Sequence, residues 1–301
     1  MSHLVISAWI EITMTDGFLN LNKPAGMTSH DAVNIVRKIF GTKKVGHAGT
    51  LDPAAVGVLP IAVGRATKFI EYISDFDKTY RAEIFFGIST NTGDFEGEIV
   101  SEVKYIQLPA QDALETILAR FTGQIEQTPP KHSAIKINGR KAYDLARKNI
   151  EFEIPRRVVT INKIEILRVE ENILTLEIDC EKGTYIRSLA VDIGESLNLP
   201  ATLKFLQRVR VGNFNLENSA TIDDLKINGE KFLLPVDSCL NHLKIFELPS
   251  RRIKAFCNGL PTNISASDEI VRVYAAEKFL GVGKISNGEL RAAKLFIDSA
   301  I

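Results

Sequence analysis

The sequence predicts an α+β fold with one large domain followed by a small β-rich domain. Segments with the two-residue alternation of strands come in runs, long helices with a 3.6-residue apolar period are few, and the composition changes near residues 240–249. Strands in runs with separate helices are typical of α+β proteins, whereas regular strand–helix alternation would predict a doubly wound α/β sheet. A chain of 301 residues is long enough to bury ample core in both domains.

The elements of the large domain begin with a strand at 17–22, where apolar and polar residues alternate. A turn follows, and the apolar face of residues 30–40 predicts a helix capped by Ser29 and ended by Gly41. The same criteria predict strands at 79–86, 158–169, 173–180 and 205–211, and helices at 111–121 and 186–197.

The small domain is predicted from short alternating segments separated by glycines, at 270–274 and 278–282. These segments are typical of a β-rich structure. They follow the change in composition, so we interpret them as a small second domain.

Composition excludes several classes of protein. No apolar run approaches the ~20 residues of a membrane helix, and the N-terminus lacks the pattern of a signal peptide. Three widely spaced cysteines without metal-ligand spacing are typical of reduced thiols in a cytoplasmic protein. With 37 basic and 37 acidic residues, the chain carries no net charge, which argues against a general polyanion binder.

One segment departs from this neutrality. Between Lys131 and Arg157, eight basic and three acidic residues give a net charge of +5 over 27 residues. A phosphate backbone could lie along such a segment. The alternative is an ordinary solvated helix face, and composition by itself favours that alternative.

The run from Gly46 to Pro60, GHAGTLDPAAVGVLP, is the most informative segment. Its residues are mostly small or apolar, yet it includes the imidazole of His47 and the carboxylate of Asp52. Glycines permit unusual backbone angles, and Pro53 stiffens the chain next to Asp52. Such a setting suits a catalytic carboxylate. A turn aspartate bonded to its own backbone is the alternative that the residues leave open.

This run resembles, position by position, the signature G-H-x-G-x-L-D-P-x-A-x-G-V-L of the TruB-type tRNA pseudouridine-55 synthases. The resemblance spans about Gly17 to Val211. Further segments are similar to that family in the same order: Lys23–Ser29 (K-P-x-G-x-[ST]-S), Asp77–Tyr80 (D-K-x-Y), Lys182–Arg187 (K-G-T-Y-I-R) and Phe205–Arg208, an apolar-then-basic strand.

The resemblance implies a domain organisation. Residues 14–240 would form a pseudouridine synthase catalytic domain on a mixed or antiparallel sheet, with the basic segment inside a thumb-like insertion at about 125–157. Residues 245–301 look like a small PUA-like domain that binds RNA, and a generic β-rich appendage is the alternative. Residues 1–13 precede the usual start of the family, so we interpret them as an extension or a misassigned start.

The resemblance also implies a reaction and its catalytic residues. In the T-loop of tRNA, the C1′–N1 bond of uridine 55 breaks, the uracil turns within the site, and C5 bonds to C1′. Nothing is oxidised, added or lost, so neither a cofactor nor a metal is implied. Asp52 would be the required carboxylate, and Tyr80 would stack on the base and accept or relay the C5 proton. Arg187 would hold Asp52 through two hydrogen bonds of its guanidinium. A core tyrosine and a surface arginine are the alternatives for the last two residues.

The remaining implied contacts concern RNA. Tyr185 and Leu206 would form pocket walls, His47 would support the RNA around the flipped base, and Lys23 and Lys68 would be cations at the rim of the site. The insertion would grip the T-arm of tRNA through Lys131, Arg140, Lys141, Arg147 and Lys148. We expect a monomer that acts in the cytoplasm without contact with a membrane.

Three other functions are alternatives to this one. A glycoside hydrolase normally needs two carboxylates, and the signature run from Gly46 to Pro60 contains one, that of Asp52. A non-catalytic tRNA folding factor would not need Asp52, Tyr80 and Arg187 together. A guide-RNA-dependent synthase of the related branch would lack the basic insertion.

Overall fold

The computed structural model describes residues 16–296 apart from 134, 138, 147, 149 and 151. The expectations for residues 1–13 and for Arg147 therefore fall outside the described residues. The strands are β1 (Gly17–Lys23), β2 (Val45–His47), β3 (Val56–Val63), β4 (Lys78–Phe86), β5 (Ile88–Thr90), β6 (Ile99–Glu102), β7 (Gly123–Gln127), β8 (Lys136–Ile137), β9 (Arg140–Lys141), β10 (Arg157–Glu170), β11 (Ile173–Cys180), β12 (Ala201–Val211), β13 (Phe214–Asn215), β14 (Lys244–Glu247), β15 (Thr262–Asn263), β16 (Glu269–Ala275), β17 (Lys278–Ser286) and β18 (Glu289–Leu295). The helices are α1 (Ser29–Ile39), α2 (Glu71–Ser74), α3 (Gln111–Leu118), α4 (Ala142–Ala146), α5 (Ile186–Ser196), α6 (Ile222–Asn228) and α7 (Ile253–Cys257).

A mixed sheet forms the large domain, which confirms the predicted fold class. Within the described residues, nine strands pair in the order β1-β3-β12-β4-β11-β10-β7, with β2 beside β3 and β13 beside β12. The pairing of β3 with β12 is parallel, and the other pairings in this sheet are antiparallel. Helices α1, α3 and α5 pack their apolar faces on one side of the sheet, in a core with residues such as Leu59, Ile84 and Leu176.

Strand β3, which lies between β1 and β12, begins within the signature run, and the sequence did not predict it. Its residues from Gly57 to Val63 are buried, so both faces of the strand are covered and the apolar run shows no alternation. Pro60 cannot donate a hydrogen bond to a neighbouring strand, which also argues against a central strand from sequence. Because both faces of β3 are buried, its sequence lacks the apolar–polar alternation that identified the other strands.

The start of α1 differs from the prediction. Thr28, not Ser29, is the N-cap: its hydroxyl accepts a hydrogen bond from the Asp31 backbone, and the Asp31 carboxylate accepts one from the Thr28 backbone. Ser29 is buried and bonds instead to Leu51, donating to its carbonyl at 3.1 Å and accepting from its N–H at 2.8 Å. The first turn of α1 therefore anchors the chain immediately before Asp52.

A second sheet forms the C-terminal part. Its strands pair in the order β14-β16-β17-β18-β15 around a core that includes Phe256, Val273 and Leu290. The rings of Phe279 and Phe296 lie 5.9 and 6.1 Å from that of Phe69, so a shared apolar cluster joins this sheet to the large domain. No helix in the described ranges is long and apolar enough to cross a membrane.

Candidate active site

Asp52 lies on the loop between β2 and β3, at a cavity of about 310 Å³. Gly49 and Gly57 flank this loop with φ angles of +97° and +101°. A Cβ atom on Gly57 would lie 2.3 Å from the backbone oxygen of Arg208, so only glycine permits the parallel contact of β3 with β12. The loop thus holds the carboxylate at the junction of these two strands.

The guanidinium of Arg187 is the ion-pair partner of Asp52. Nε lies 3.0 Å from Asp52 Oδ2, while Nη1 and Nη2 donate to the backbone carbonyls of Thr92 at 3.2 Å and His132 at 2.9 Å. The alternative of a surface arginine is excluded because Arg187 is buried. The expectation of two hydrogen bonds to Asp52 is wrong, because the terminal nitrogens bind these carbonyls instead.

Asp94 is a second acid next to Arg187, which the sequence did not identify. Its Oδ2 lies 3.5 Å from Arg187 Nη1, and its Oδ1 accepts hydrogen bonds from Thr92 Oγ1 at 2.5 Å and Glu96 N at 3.1 Å. Asp94 does not line the cavity. It therefore lacks the position that a second glycosidase carboxylate would need.

These charges set the protonation of Asp52. Desolvation raises the pKa of Asp52 above its ordinary value, the Arg187 guanidinium lowers it, and the Asp94 carboxylate raises it. The arginine therefore favours the carboxylate form of Asp52 in a setting that otherwise disfavours it.

Tyr80 lines the same cavity from β4, on the apolar face that the alternation predicted. The residue is buried, and burial raises the pKa of the phenol, while the nearby guanidinium of Arg208 lowers it. The phenol therefore stays protonated at neutral pH unless substrate changes its surroundings.

Tyr185 and Leu206 also line the cavity. Their contact with the base, which the resemblance implied, stays a prediction. The buried amide of Gln127 fixes the backbone of Tyr185, donating to its carbonyl at 3.0 Å and accepting from its N–H at 2.8 Å. The Arg157 guanidinium lies 5.9 Å from the centre of the Tyr185 ring. One wall of the cavity is thus attached to the strand that leads into the basic insertion.

His47 occupies β2 and is not among the residues that line the cavity. It is half-buried, and burial together with the positive charge of Arg208 lowers the pKa of its imidazole. A neutral imidazole two residues before Gly49 contributes no cation to the site. Its contact with displaced RNA stays a prediction.

The expected position of Lys23 at the rim is wrong. Lys23 is fully buried, and its Nζ donates to the carbonyls of Pro24 and Met27 at 2.8 Å and of Pro53 at 3.2 Å. Burial lowers the pKa of this ammonium to about 8. Lys23 therefore ties the turn after β1 to the residue that follows Asp52, and no surface remains for a phosphate.

Lys68 is also not at the rim of the cavity. It is exposed in a 3₁₀ segment outside the lining, and its Nζ lies 3.2 Å from the carbonyl of Leu295 in the second sheet. Its expected place at the rim is therefore wrong, since the shared apolar cluster draws this segment toward the C-terminal part. Contact with a phosphate elsewhere on the surface stays a prediction.

Besides Arg187 and Lys182, which pair with Asp52 and Asp75, two further cations line the cavity: Lys78 and Arg208. The Lys78 ammonium donates to the carbonyls of Ser74 and Phe76, and burial lowers its pKa to about 8. Both residues belong to segments that the resemblance singled out, but neither was identified as a site residue. Their positions in the D-K-x-Y and apolar-then-basic patterns were the sequence signal that could have identified them as site residues.

The basic insertion begins at the edge of the cavity. Ser188 Oγ donates to the Thr128 carbonyl at 2.7 Å, next to the bond between Arg187 and His132. Strands β8 and β9 form a hairpin within the insertion, and helix α4 follows. Of the predicted contacts, Lys131, Arg140 and Lys148 are exposed, and Lys141 lies at the end of β9.

Known proteins resemble this chain along most of its length. Residues 37–186 match the model of the TruB family pseudouridylate synthase (N terminal domain), and residues 246–296 match that of the pseudouridine synthase II TruB, C-terminal. A tRNA pseudouridine synthase B of Clostridium kluyveri is 43% identical over 290 residues, which cover 94% of this chain and all of that relative. One of Bacillus pumilus is 46% identical over 256 residues, covering 82% of this chain and 83% of that relative.

The fold is similar to that of solved structures. A chain in the crystal structure of a Cbf5-Nop10-Gar1 complex has a TM-score of 0.75 at 24% identity, covering 96% of this chain and 87% of that chain. At this level of identity, the likeness concerns the fold alone. It supports the mixed sheet with an attached β-rich domain.

Proposed function

The chain belongs to the TruB family of pseudouridylate synthases, and on this premise we propose that it converts uridine 55 in the T-loop of tRNA to pseudouridine. The observation that carries the proposal is the cavity in which the Asp52 carboxylate pairs with Arg187 next to Tyr80 and Tyr185. The relatives named tRNA pseudouridine synthase B support tRNA as the substrate.

The reaction balances without any co-reactant. The C1′–N1 bond breaks, the detached uracil turns, C5 bonds to C1′, and the hydrogen of C5 is replaced by one on N1. The product is an isomer of the substrate, so the protein must hold an intermediate, supply a carboxylate and move one proton. In this proposal Asp52 supplies the carboxylate, and Tyr80 stacks on the base and accepts or relays the proton.

The size of the cavity favours a single extruded base. Its volume of about 310 Å³ is at the small end of the range for ligand pockets, ~300–1,000 Å³. A base within a stacked loop cannot reach Asp52 there, so the nucleotide must flip out. Tyr185 and Leu206 then form the walls that exclude water.

The insertion supplies the affinity for the T-arm in this proposal. Its charge of +5 contrasts with the neutral chain, and phosphate contacts provide most of the binding energy to nucleic acids. We propose that a monomer carries out the reaction, since Asp52 and Arg187 pair within one chain. We place this activity in the cytoplasm, where a tRNA-modifying enzyme meets its substrate.

The experiment is to incubate the purified protein with an unmodified tRNA transcript and to map pseudouridine at single-nucleotide resolution. We expect modification at position 55, and none in a transcript with cytidine at that position. Product at another position would overturn the assignment of the site. Tight binding without any product would instead favour a non-catalytic tRNA folding factor.

A further inference from the structure

Arg208 is the largest side chain that the described core buries completely, with 1% of its surface exposed. It lies on β12 two residues after Leu206, so both side chains are on the strand face that lines the cavity. A buried guanidinium is strongly unfavourable unless its donors are paired. The groups that pair with the Arg208 guanidinium therefore indicate the role of this residue.

Three backbone carbonyls on both sides of Asp52 accept hydrogen bonds from Arg208. Nη2 donates to Gly49 at 3.1 Å and Nη1 donates to Thr50 at 3.3 Å, both before Asp52. Nε donates to Val58 at 2.8 Å, at the start of β3. One rigid group thus fixes the two ends of the loop that presents the acid.

The strand register brings Arg208 next to Tyr80 as well. In the antiparallel pair β12–β4, Arg208 lies directly opposite Tyr80, and in the parallel pair β12–β3 it lies opposite Gly57. Directly opposite residues have Cβ atoms about 4.5–5.5 Å apart. Arg208 therefore lies between the strand that bears the phenol and the strand that follows the acid.

We propose that Arg208 is a positioning residue that sets the Asp52 loop and the Tyr80 phenol at a fixed separation around one uracil. This inference rests on the proposed function. An arginine fits the role because its planar group directs five N–H donors in fixed directions, and three of them reach the carbonyls named above. A lysine ammonium at the same place cannot contact the three carbonyls and the Tyr80 phenol at the same time.

The test compares Arg208→Lys and Arg208→Gln with the wild-type chain, with Arg81→Lys as the matched control. Arg81 follows Tyr80 on the same strand, but its side chain is half-exposed and pairs with Glu177 on the opposite face. Single-turnover rates at saturating tRNA, tRNA dissociation constants and thermal midpoints are measured for each variant. Tyrosine labelled with ¹³C at Cζ reports on the phenol, and Tyr80→Phe identifies its resonance.

We expect both Arg208 variants to lose at least about tenfold in single-turnover rate, within the range of coupling between contacting residues. Their tRNA affinity should change by less than about threefold, since phosphate contacts supply most of it. The Tyr80 resonance should move in both variants and stay unchanged in Arg81→Lys.

A lower thermal midpoint with a normal saturated rate would overturn the inference, because Arg208 would then serve stability alone. The same holds if both variants fail to fold or if the Tyr80 resonance does not move. The resonance requires no turnover, so it tests the contact even if the wild-type protein forms no pseudouridine. A wild-type protein that forms no pseudouridine would instead count against the proposed function.

Discussion

The Nε atom of Arg187 lies 3.0 Å from Oδ2 of Asp52, and the two side chains differ sharply in exposure, at 7% for the arginine and 41% for the aspartate. The arginine is therefore behind the acid, and the acid faces the cavity. Two backbone carbonyls and Asp94 hold the remainder of the guanidinium in place. This arrangement orients one oxygen of the carboxylate while the side chain stays open to substrate.

Asp52→Asn should abolish pseudouridine formation while tRNA binding stays within a few-fold of wild type. The amide keeps the shape of the side chain and loses its charge, whereas phosphate contacts supply most of the affinity. Single-turnover assays with a filter-binding measurement check this, with Asp223→Asn on the exposed face of α6 as control. Activity above about one per cent of wild type would mean that another residue performs the chemistry.

Arg187→Lys should lose nearly as much of the single-turnover rate as Arg187→Ala. An ammonium can replace the contact with Asp52 but not the bonds to the Thr92 and His132 carbonyls at the same time. The positive charge of the lysine variant would therefore lie away from the position that Arg187 Nε occupies next to Asp52. Rates of both variants at saturating tRNA decide the matter, and a lysine variant close to wild type would show that charge alone is sufficient.

Asp94→Asn should shift the acid limb of the pH–rate profile to lower pH. The Asp94 carboxylate raises the pKa of Asp52, so its removal lowers that pKa. If the ionised form of Asp52 is the active one, the rate then falls only at a more acidic pH. Single-turnover rates across the acidic range test this, with Asp179→Asn, which pairs with Arg210 away from the cavity, as control. If the acid limb of the Asp94→Asn profile stays unchanged or moves to higher pH, the prediction is wrong.

Lys23→Met should destabilise the protein without changing the salt dependence of tRNA binding. Its ammonium binds three carbonyls inside the protein, and their loss of a partner costs about 1–3 kcal/mol of the free energy of unfolding. Urea denaturation measures the stability, and Lys226→Met on the surface is the control. A flatter salt dependence would show that Lys23 meets a phosphate after all.

Replacing Arg140, Lys141, Arg147 and Lys148 with glutamine should weaken tRNA binding and flatten its salt dependence, because fewer counterions are released. The saturated single-turnover rate should fall much less, since Asp52, Tyr80 and Arg187 are unchanged. Glutamine at four exposed basic positions of the sheet is the matched control: Arg81, Lys163, Arg168 and Lys204. An unchanged salt slope would assign the insertion a different role.

The sequence by itself determined the elements that are half-buried and the signatures that carry the family. Strands such as β4 and β11 alternate because one face meets the core, and α5 repeats its apolar residues because one face packs on the sheet. The signature around Asp52 was also identifiable, since glycines and a proline are needed where the backbone takes an unusual course.

Beyond the pair of Asp52 and Arg187 that the resemblance implied, only the tertiary structure decided which charged and polar groups meet. The sequence of β3 shows no apolar–polar alternation because both faces of the strand are buried. Lys23 binds inside the protein because three backbone carbonyls accept hydrogen bonds from its ammonium. Asp94 and Arg208 join the site from segments distant in sequence, through contacts that no local pattern encodes. Periodicity reports whether a residue faces the core, whereas the partner of a buried charge depends on strand register and loop paths that are fixed only when the chain folds.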